Sequence, residues 1–266
     1  MNKITYLFPG GLPKALTMSY DDGVINDRRL VEIFNRNGIK GTFHLNASYL
    51  GNSGKITPEE LLSLYAGHEV SCHSFTHPFL ERCPKPAVLN EVLEDRKRLE
   101  ELVGYPVRGM SYPMGTYSTE VKNILNAAGI VYSRTTQSTH RFVLPDNWLE
   151  WAPTCHHREN ILEKAEAFKN NSYSFSLFYV WGHAYEFDRD SPENNWGIIE
   201  EFCAQMANLP DVWYATNIAI HDYVTALKRL EFSVNCDIVH NPSAVSLWIS
   251  VSGRAVEITP GELKRL

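Results

Sequence analysis

Strand-like apolar runs and helix-like amphipathic runs alternate seven or eight times along most of the chain, with no Gly-rich linker to divide them. Such alternation pairs its backbone through parallel strands joined by helical crossovers, and 266 residues suffice for one α/β domain of the distorted (β/α)7-8 barrel kind. Strands are expected at 15–20, 39–46, 68–74, 107–112, 130–134, 148–154, 174–182 and 212–216. Helices are expected at 27–37, 57–67, 87–102, 118–128, 159–169, 195–209 and 218–230. Their ends carry capping chemistry: Thr57-Pro58-Glu59-Glu60 opens one helix, and Gly38, Gly104 and Gly129 close others. In a barrel the C-terminal strand ends gather at one rim. Asp21-Asp22, His73-His77, Tyr112 to Gly115, Arg134, His156-His157 and His183 all fall at such ends.

After Leu230 the pattern changes. Residues 244–251 and 255–259 alternate apolar and polar in part, on either side of Ser252-Gly253-Arg254, as a β-hairpin does. Two strands are rarely stable alone. Residues 231–266 are therefore expected as a β-rich extension packed on a barrel of residues 1–230.

The net charge of −6 gives no basic footprint for nucleic acid. No run approaches the ~18 apolar residues of a membrane-spanning helix. Met1 to Tyr6 lacks the apolar core of a signal peptide, which favours a cytoplasmic protein unless a leader has been removed. The five cysteines show no regular spacing and argue against a disulfide framework. Cys72 reads as core, although it stands beside His73. Nothing in the sequence sets an oligomeric state.

The chemistry centres on His73-Ser74-Phe75-Thr76-His77. Two imidazoles four residues apart can face one ion, and neutral imidazole is the commonest protein metal ligand. A third ligand is needed, and Ser19-Tyr20-Asp21-Asp22-Gly23 offers it. Adjacent carboxylates at one site repel unless a cation compensates, so one can ligate while the other takes a proton from water. Alone, H-x-x-x-H is a weak signal and Asp-Asp-Gly is more often a turn; both at strand ends, they reinforce each other. Two histidines and a carboxylate also serve non-haem iron oxygenases, but the βα alternation counts against that class.

With these residues in hand, the sequence resembles the polysaccharide deacetylases of carbohydrate esterase family 4, the NodB-homology enzymes. Their first motif, T-F-D-D-G, corresponds to Ser19-Tyr20-Asp21-Asp22-Gly23, and their second, H-[ST]-x-x-H, is matched in full by His73 to His77. A late apolar strand ending in His183 (Val180-Trp181-Gly182-His183) resembles the fifth. The third, R-x-P-[YFW]-G, departs: Ser111-Tyr112-Pro113-Met114-Gly115 has serine for the arginine that holds the catalytic aspartate. The fourth, an Asp-Trp signature, has no clean match, since Asp146-Asn147-Trp148 lies too far beyond its strand. This looks like a divergent subgroup.

The resemblance implies a metal-dependent hydrolase that removes acetyl groups from N-acetylated, or O-acetylated, sugars by cutting a non-peptide carbon–nitrogen bond. Asp22, His73 and His77 would hold a divalent ion, Zn2+ before Co2+, Fe2+ or Ni2+. Asp21 would be the base, the Met114 N–H an oxyanion donor and His183 the acid that protonates the leaving amine, oriented by Glu186 or Asp146. Arg134 is expected to reach Asp21 in place of the missing arginine. Tyr112, Trp181, Tyr185, Trp148 and His157 are expected to line the carbohydrate site. A second metal site at His156-His157 is a minor alternative. Two further readings keep the same site: an amidohydrolase on a small non-sugar amide, and a catalytically weak sugar-binding homologue.

Overall fold

The computed structural model describes residues 3–266. Its elements run β1 (Ile4–Leu7), β2 (Lys14–Asp21), α1 (Asp27–Arg36), β3 (Gly41–Leu45), α2 (Pro58–Leu64), β4 (Glu69–Cys72), α3 (Lys85–Val103), β5 (Gly109–Ser111), α4 (Thr119–Ala127) and β6 (Tyr132–Arg134). There follow β7 (Cys155–His156), α5 (Ile161–Lys169), β8 (Ser176–Gly182), α6 (Trp196–Met206), β9 (Val212–Tyr214) and α7 (Asn217–Leu227). The tail adds β10 (Glu231–Phe232), β11 (Ile238–His240), β12 (Leu247–Val251), β13 (Arg254–Ile258) and β14 (Leu263–Arg265).

Strands β6-β5-β4-β3-β2-β8-β7 form one parallel sheet in that order. β2 carries β8 along one edge; its other edge is shared by β9 at Lys14–Leu16 and β3 at Met18–Asp21. The sheet curls into a half-barrel, the distorted α/β barrel expected. The segment leading into β7 runs from the β6 edge to β8. Trp151 donates to Ser133 O (3.0 Å) and accepts from Thr135 N–H (3.0 Å), and Thr154 N–H then reaches Tyr179 O on β8 (2.8 Å). The strand expected at 148–154 is thereby corrected. Residues Trp148–Glu150 form a tight turn, Trp151 makes an isolated bridge, and the strand proper is β7. Pro153 explains the break, because it has no N–H to carry a ladder between Trp151 and Thr154.

Each barrel strand has two unlike faces. Leu16, Met18, Tyr20, Phe43, Leu45, Val70, Cys72, Met110, Phe178 and Val180 join a core with Leu30, Phe34, Leu99, Phe168 and Phe202 of the surrounding helices. The alternate residues are polar and bond to one another. Thr17 Oγ1 donates to Asn217 Oδ1 (2.8 Å), Ser19 Oγ meets His44 Nε2 (2.9 Å), and Tyr132 Oη donates to Glu69 Oε1 (2.6 Å). Every residue of β2 is buried all the same, so burial runs unbroken where the chemistry has period two.

β12 and β13 form the expected antiparallel hairpin. The first strand, β1, pairs with its free edge from Ile4↔Val251 to Leu7↔Trp248. β10, β11 and β14 make a second small sheet. Leu247, Ile249, Ile258 and Val239 pack with Ile220, Val224 and Leu227 of α7, and Tyr223 Oη donates to Leu7 O (2.9 Å). Among the described residues no helix is long and apolar enough to cross a membrane.

Candidate active site

Asp21 ends β2, and His44 of β3 is its register partner. Asp22 turns away with φ of 81°, a left-handed backbone angle that is uncommon outside glycine. His73 follows directly on β4, and Ser111 and Arg134 face each other across the ends of β5 and β6. Strand register thus brings Asp21, Asp22, His73, Ser111 and Arg134 to one rim. Ligand atoms of Asp22, His73 and His77 lie within 4.8 Å of one another, and the two histidine Nε2 atoms are 3.0 Å apart. His73 Nε2 is 3.9 Å from Asp22 Oδ1 and 3.9 Å from Asp21 Oδ2. On its other side His73 Nδ1 lies 3.0 Å from Ser111 O, an acceptor that must receive N–H. Nε2 is thereby left with its lone pair turned to Asp22 and His77, the arrangement a ligating histidine requires. Burial, opposed by the Asp21 and Asp22 charges, holds the His73 pKa down at about 4, so the ring is neutral at pH 7.

The loop carrying His77 is tied down from three sides. Asn46 Nδ2 donates to His73 O (2.6 Å) and Ser74 O (2.8 Å), Asp95 Oδ2 accepts from His73 N–H (3.0 Å), and Glu91 Oε2 accepts from Thr76 N–H (2.7 Å). Those bonds hold Ser74 and His77 at φ of 62° and 57°.

Both oxygens of Asp21 are occupied. The Ser111 hydroxyl donates to Oδ1 (3.0 Å), and the Arg134 guanidinium donates through Nη2 to Oδ2. Arg134 is wholly buried, with its guanidinium carbon 4.2 Å from the Trp181 ring. Burial alone would raise the Asp21 pKa, but Arg134, with His73 and His44, holds it well below the usual carboxylate range. Arg134 does reach Asp21. Ser111, met in the sequence as a lost arginine, also sits 2.7 Å from His73 Nδ1 through its hydroxyl oxygen, so one side chain touches both the candidate base and a candidate ligand.

His183, just past β8, has its side chain 21% exposed, with Nδ1 3.5 Å from Glu186 Oε2. Burial lowers its pKa, but Glu186, Asp21 and Asp22 outweigh burial and raise it. Asp146, the alternative partner, lines a separate groove with Arg141, Tyr173 and Lys228.

Other expected rim residues are corrected. Tyr112 is buried, stacks on Tyr117 and donates its hydroxyl to Leu149 O. His157 is buried with its ring against Phe187. Trp148 packs edge-on against Trp151 and against His221 of α7, away from the rim. Trp181 is 8% exposed and serves as the floor under Arg134. Tyr185 is half-buried, with the His183 ring at 5.3 Å between centroids and the Arg189 guanidinium carbon 5.4 Å over its ring. Met114 takes φ of 57° in the tight turn after β5 and is 52% exposed.

Comparison with known proteins agrees with this architecture. Residues 10–133 match the family model "Polysaccharide deacetylase". The peptidoglycan-N-acetylglucosamine deacetylase PgdA of Listeria monocytogenes is 28% identical over 127 residues, 47% of this chain and 26% of that protein. A chitooligosaccharide deacetylase of Rhizobium leguminosarum bv. phaseoli is 24% identical over 136 residues, 50% of this chain and 56% of that protein. The chain thus spans well under two thirds of either relative. A candidate polysaccharide deacetylase of Mycobacterium smegmatis superposes with a TM-score of 0.64 at 19% identity, covering 85% of this chain and 96% of the other; that likeness speaks to the fold.

Proposed function

From the match of residues 10–133 to the polysaccharide deacetylase family model we propose that the chain is a member of that family and hydrolyses the acetamide of an N-acetylated sugar or oligosaccharide. The observation that carries this reading is the meeting of Asp22, His73 and His77 beside an aspartate already paired with a buried arginine. The donor set fits a divalent transition ion: two imidazoles, one with its lone pair directed inward, and one carboxylate. Asp22, His73 and His77 would hold the ion, zinc in the first instance, which when bound supplies a Lewis acid and a water of lowered pKa.

The remaining work falls to the chain's own groups. Asp21 takes the proton of the attacking water, kept ionised and aimed by Arg134 and Ser111. Arginine suits this because it stays charged, and its one donor to Oδ2 with the Ser111 hydroxyl on Oδ1 fixes the carboxylate's direction. The Met114 N–H donates to the oxygen that gains charge as the carbonyl becomes tetrahedral. His183 gives its proton to the leaving nitrogen, without which an amine is a poor leaving group. Tyr185 offers a ring face beside His183 on which a sugar can stack.

Metal analysis with an acetate-release assay over N- and O-acetylated oligosaccharides tests the proposal. Wild type should carry one ion per chain and release acetate; His77→Ala should lose both while its circular dichroism stays unchanged. Undiminished metal in His77→Ala would remove the assigned ligand set. Acetate released from small amides but from no sugar would move the substrate class.

A further inference from the structure

We propose that His156 and His157 are positioning residues that act through Glu186 on His183, and that these four side chains form a metal-free latch beneath the rim. This rests on the deacetylase reading only for the role of His183.

The cluster looks at first like a second metal centre. His156, His157 and Glu186 each bring one possible ligand atom within 4.8 Å of the others, and all three residues are buried. Ring tautomers separate it from the first centre. His73 turns Nδ1 to a carbonyl and so frees Nε2 as a ligand. His156 does the opposite: the Arg158 backbone N–H points at its Nδ1 (3.3 Å), so Nδ1 is the acceptor and the proton sits on Nε2. A protonated Nε2 is a donor, and it stands 2.9 Å from Glu186 Oε2. The Tyr20 hydroxyl, 3.3 Å from His157 Nδ1, can impose the same tautomer, turning the His157 Nε2–H to that oxygen at 3.1 Å.

Glu186 therefore gathers its stabilisation from imidazoles. Burial raises its pKa, yet His156, His157 and His183 together hold it well below the usual carboxylate range. Oε2 is the point at which His156, His157 and His183 meet, at 2.9, 3.1 and 3.5 Å, while the Arg189 guanidinium donates to Oε1 at 3.4 Å. The scaffold is built around that point. His156 and His157 close β7, Glu186 lies in the turn Ala184–Arg189 after β8, and a Cβ on Gly182 would come within 2.2 Å of His157 Nδ1. Only glycine at the end of β8 leaves room for the His157 ring. With Oε2 fixed, the His183 ring has one preferred orientation, with Nδ1 at the carboxylate and Nε2 free to exchange a proton.

The test is a set of variants in the full-length holoprotein: His156→Phe, His156→Gln, Glu186→Gln, and Glu186→Gln combined with His156→Phe. Glutamine offers an N–H donor near the place of Nε2 but is a poor transition-metal ligand. His156→Phe should cost at least about tenfold in kcat with little change in KM, and His156→Gln should recover much of that. The double variant should be no worse than Glu186→Gln alone, because His156 acts only through Glu186. Side-chain 15N shifts of His183 should move in His156→Phe and return towards wild type in His156→Gln. Each variant should bind the same one ion per chain as wild type. A second ion in wild type, loss of an ion in His156→Phe, or additive losses in the double variant would overturn the latch. Absence of acetate release by wild type would sink the deacetylase reading instead, and the His183 shifts and ion count would then decide the latch alone.

Discussion

Asp21 shows how a carboxylate can be paired without the arginine expected beside it. The arginine expected beside it on β5 is Ser111, yet both carboxylate oxygens are met, one by that serine's hydroxyl and one by Arg134 from the next strand. Arg134 was legible because a charged residue ends an apolar strand at the rim. The share taken by Ser111 was not, since a serine beside a barrel end looks like any small polar residue until its partners are known. Asp21→Asn should keep the metal and lose turnover by ~10²- to 10⁴-fold, the usual worth of a general base. Asp22→Asn should weaken metal binding first. Titrating zinc into both apoproteins, followed by single-substrate kinetics, separates the two, and the reverse pattern would exchange the roles.

At the scale of elements, the strand ends were easier to read than the loops that complete the site. Period and capping gave β2, β4, β5, β6 and β8 close to their bounds, because an apolar run broken by polar or turn residues has few other fates. β7 was misplaced since Pro153 cuts its ladder, and with it went the expected positions of Trp148 and His157. The hold on the His77 loop was invisible in sequence, because Asn46, Glu91 and Asp95 come from distant segments. Asn46 spans two carbonyls of a loop with positive φ at Ser74 and His77, a conformation that persists only when the surroundings over-determine it. Asn46→Ala should therefore lower zinc affinity with the ligands intact, measured by competition with a chelator. Unchanged affinity would mean that Asp95 and Glu91 suffice.

Over the whole molecule, polar side chains inside the barrel keep a period-two pattern in strands that are buried throughout, as Thr17, Ser19 and Asp21 alternate with Leu16, Met18 and Tyr20. Buried histidines set an acid limit. Burial lowers the pKa of His68 to about 4 and of His44 to about 3, below the ordinary ~6.5 of an exposed imidazole. A pKa lower in the folded state than in the unfolded chain gives stability that is whole above pH ~6.5 and is lost as pH falls towards the folded value. For His68, which accepts from Gly41 N–H at 3.0 Å, the loss between pH 7 and 4 is about 3 kcal/mol. His68→Asn should lose less than wild type over that range in urea denaturation; parallel pH profiles would exclude this source of acid sensitivity.

The pairing of β1 with β12 also governs timing. Ile4 meets Val251 and Leu7 meets Trp248, so all the elements between them must be synthesised before β1 has an edge to join. Contacts so distant in sequence pay their loop-closure entropy before they return anything, and they form late. On a ribosome the barrel strands can assemble in order while Ile4 to Leu7 waits with its backbone unpaired, open to proteases and to stray strand edges. A nascent chain arrested before Leu247 emerges should be clipped near its start, and one released a few tens of residues later should resist. Closure of this sheet is then timed by the synthesis of β12, whatever the speed at which the candidate rim takes shape.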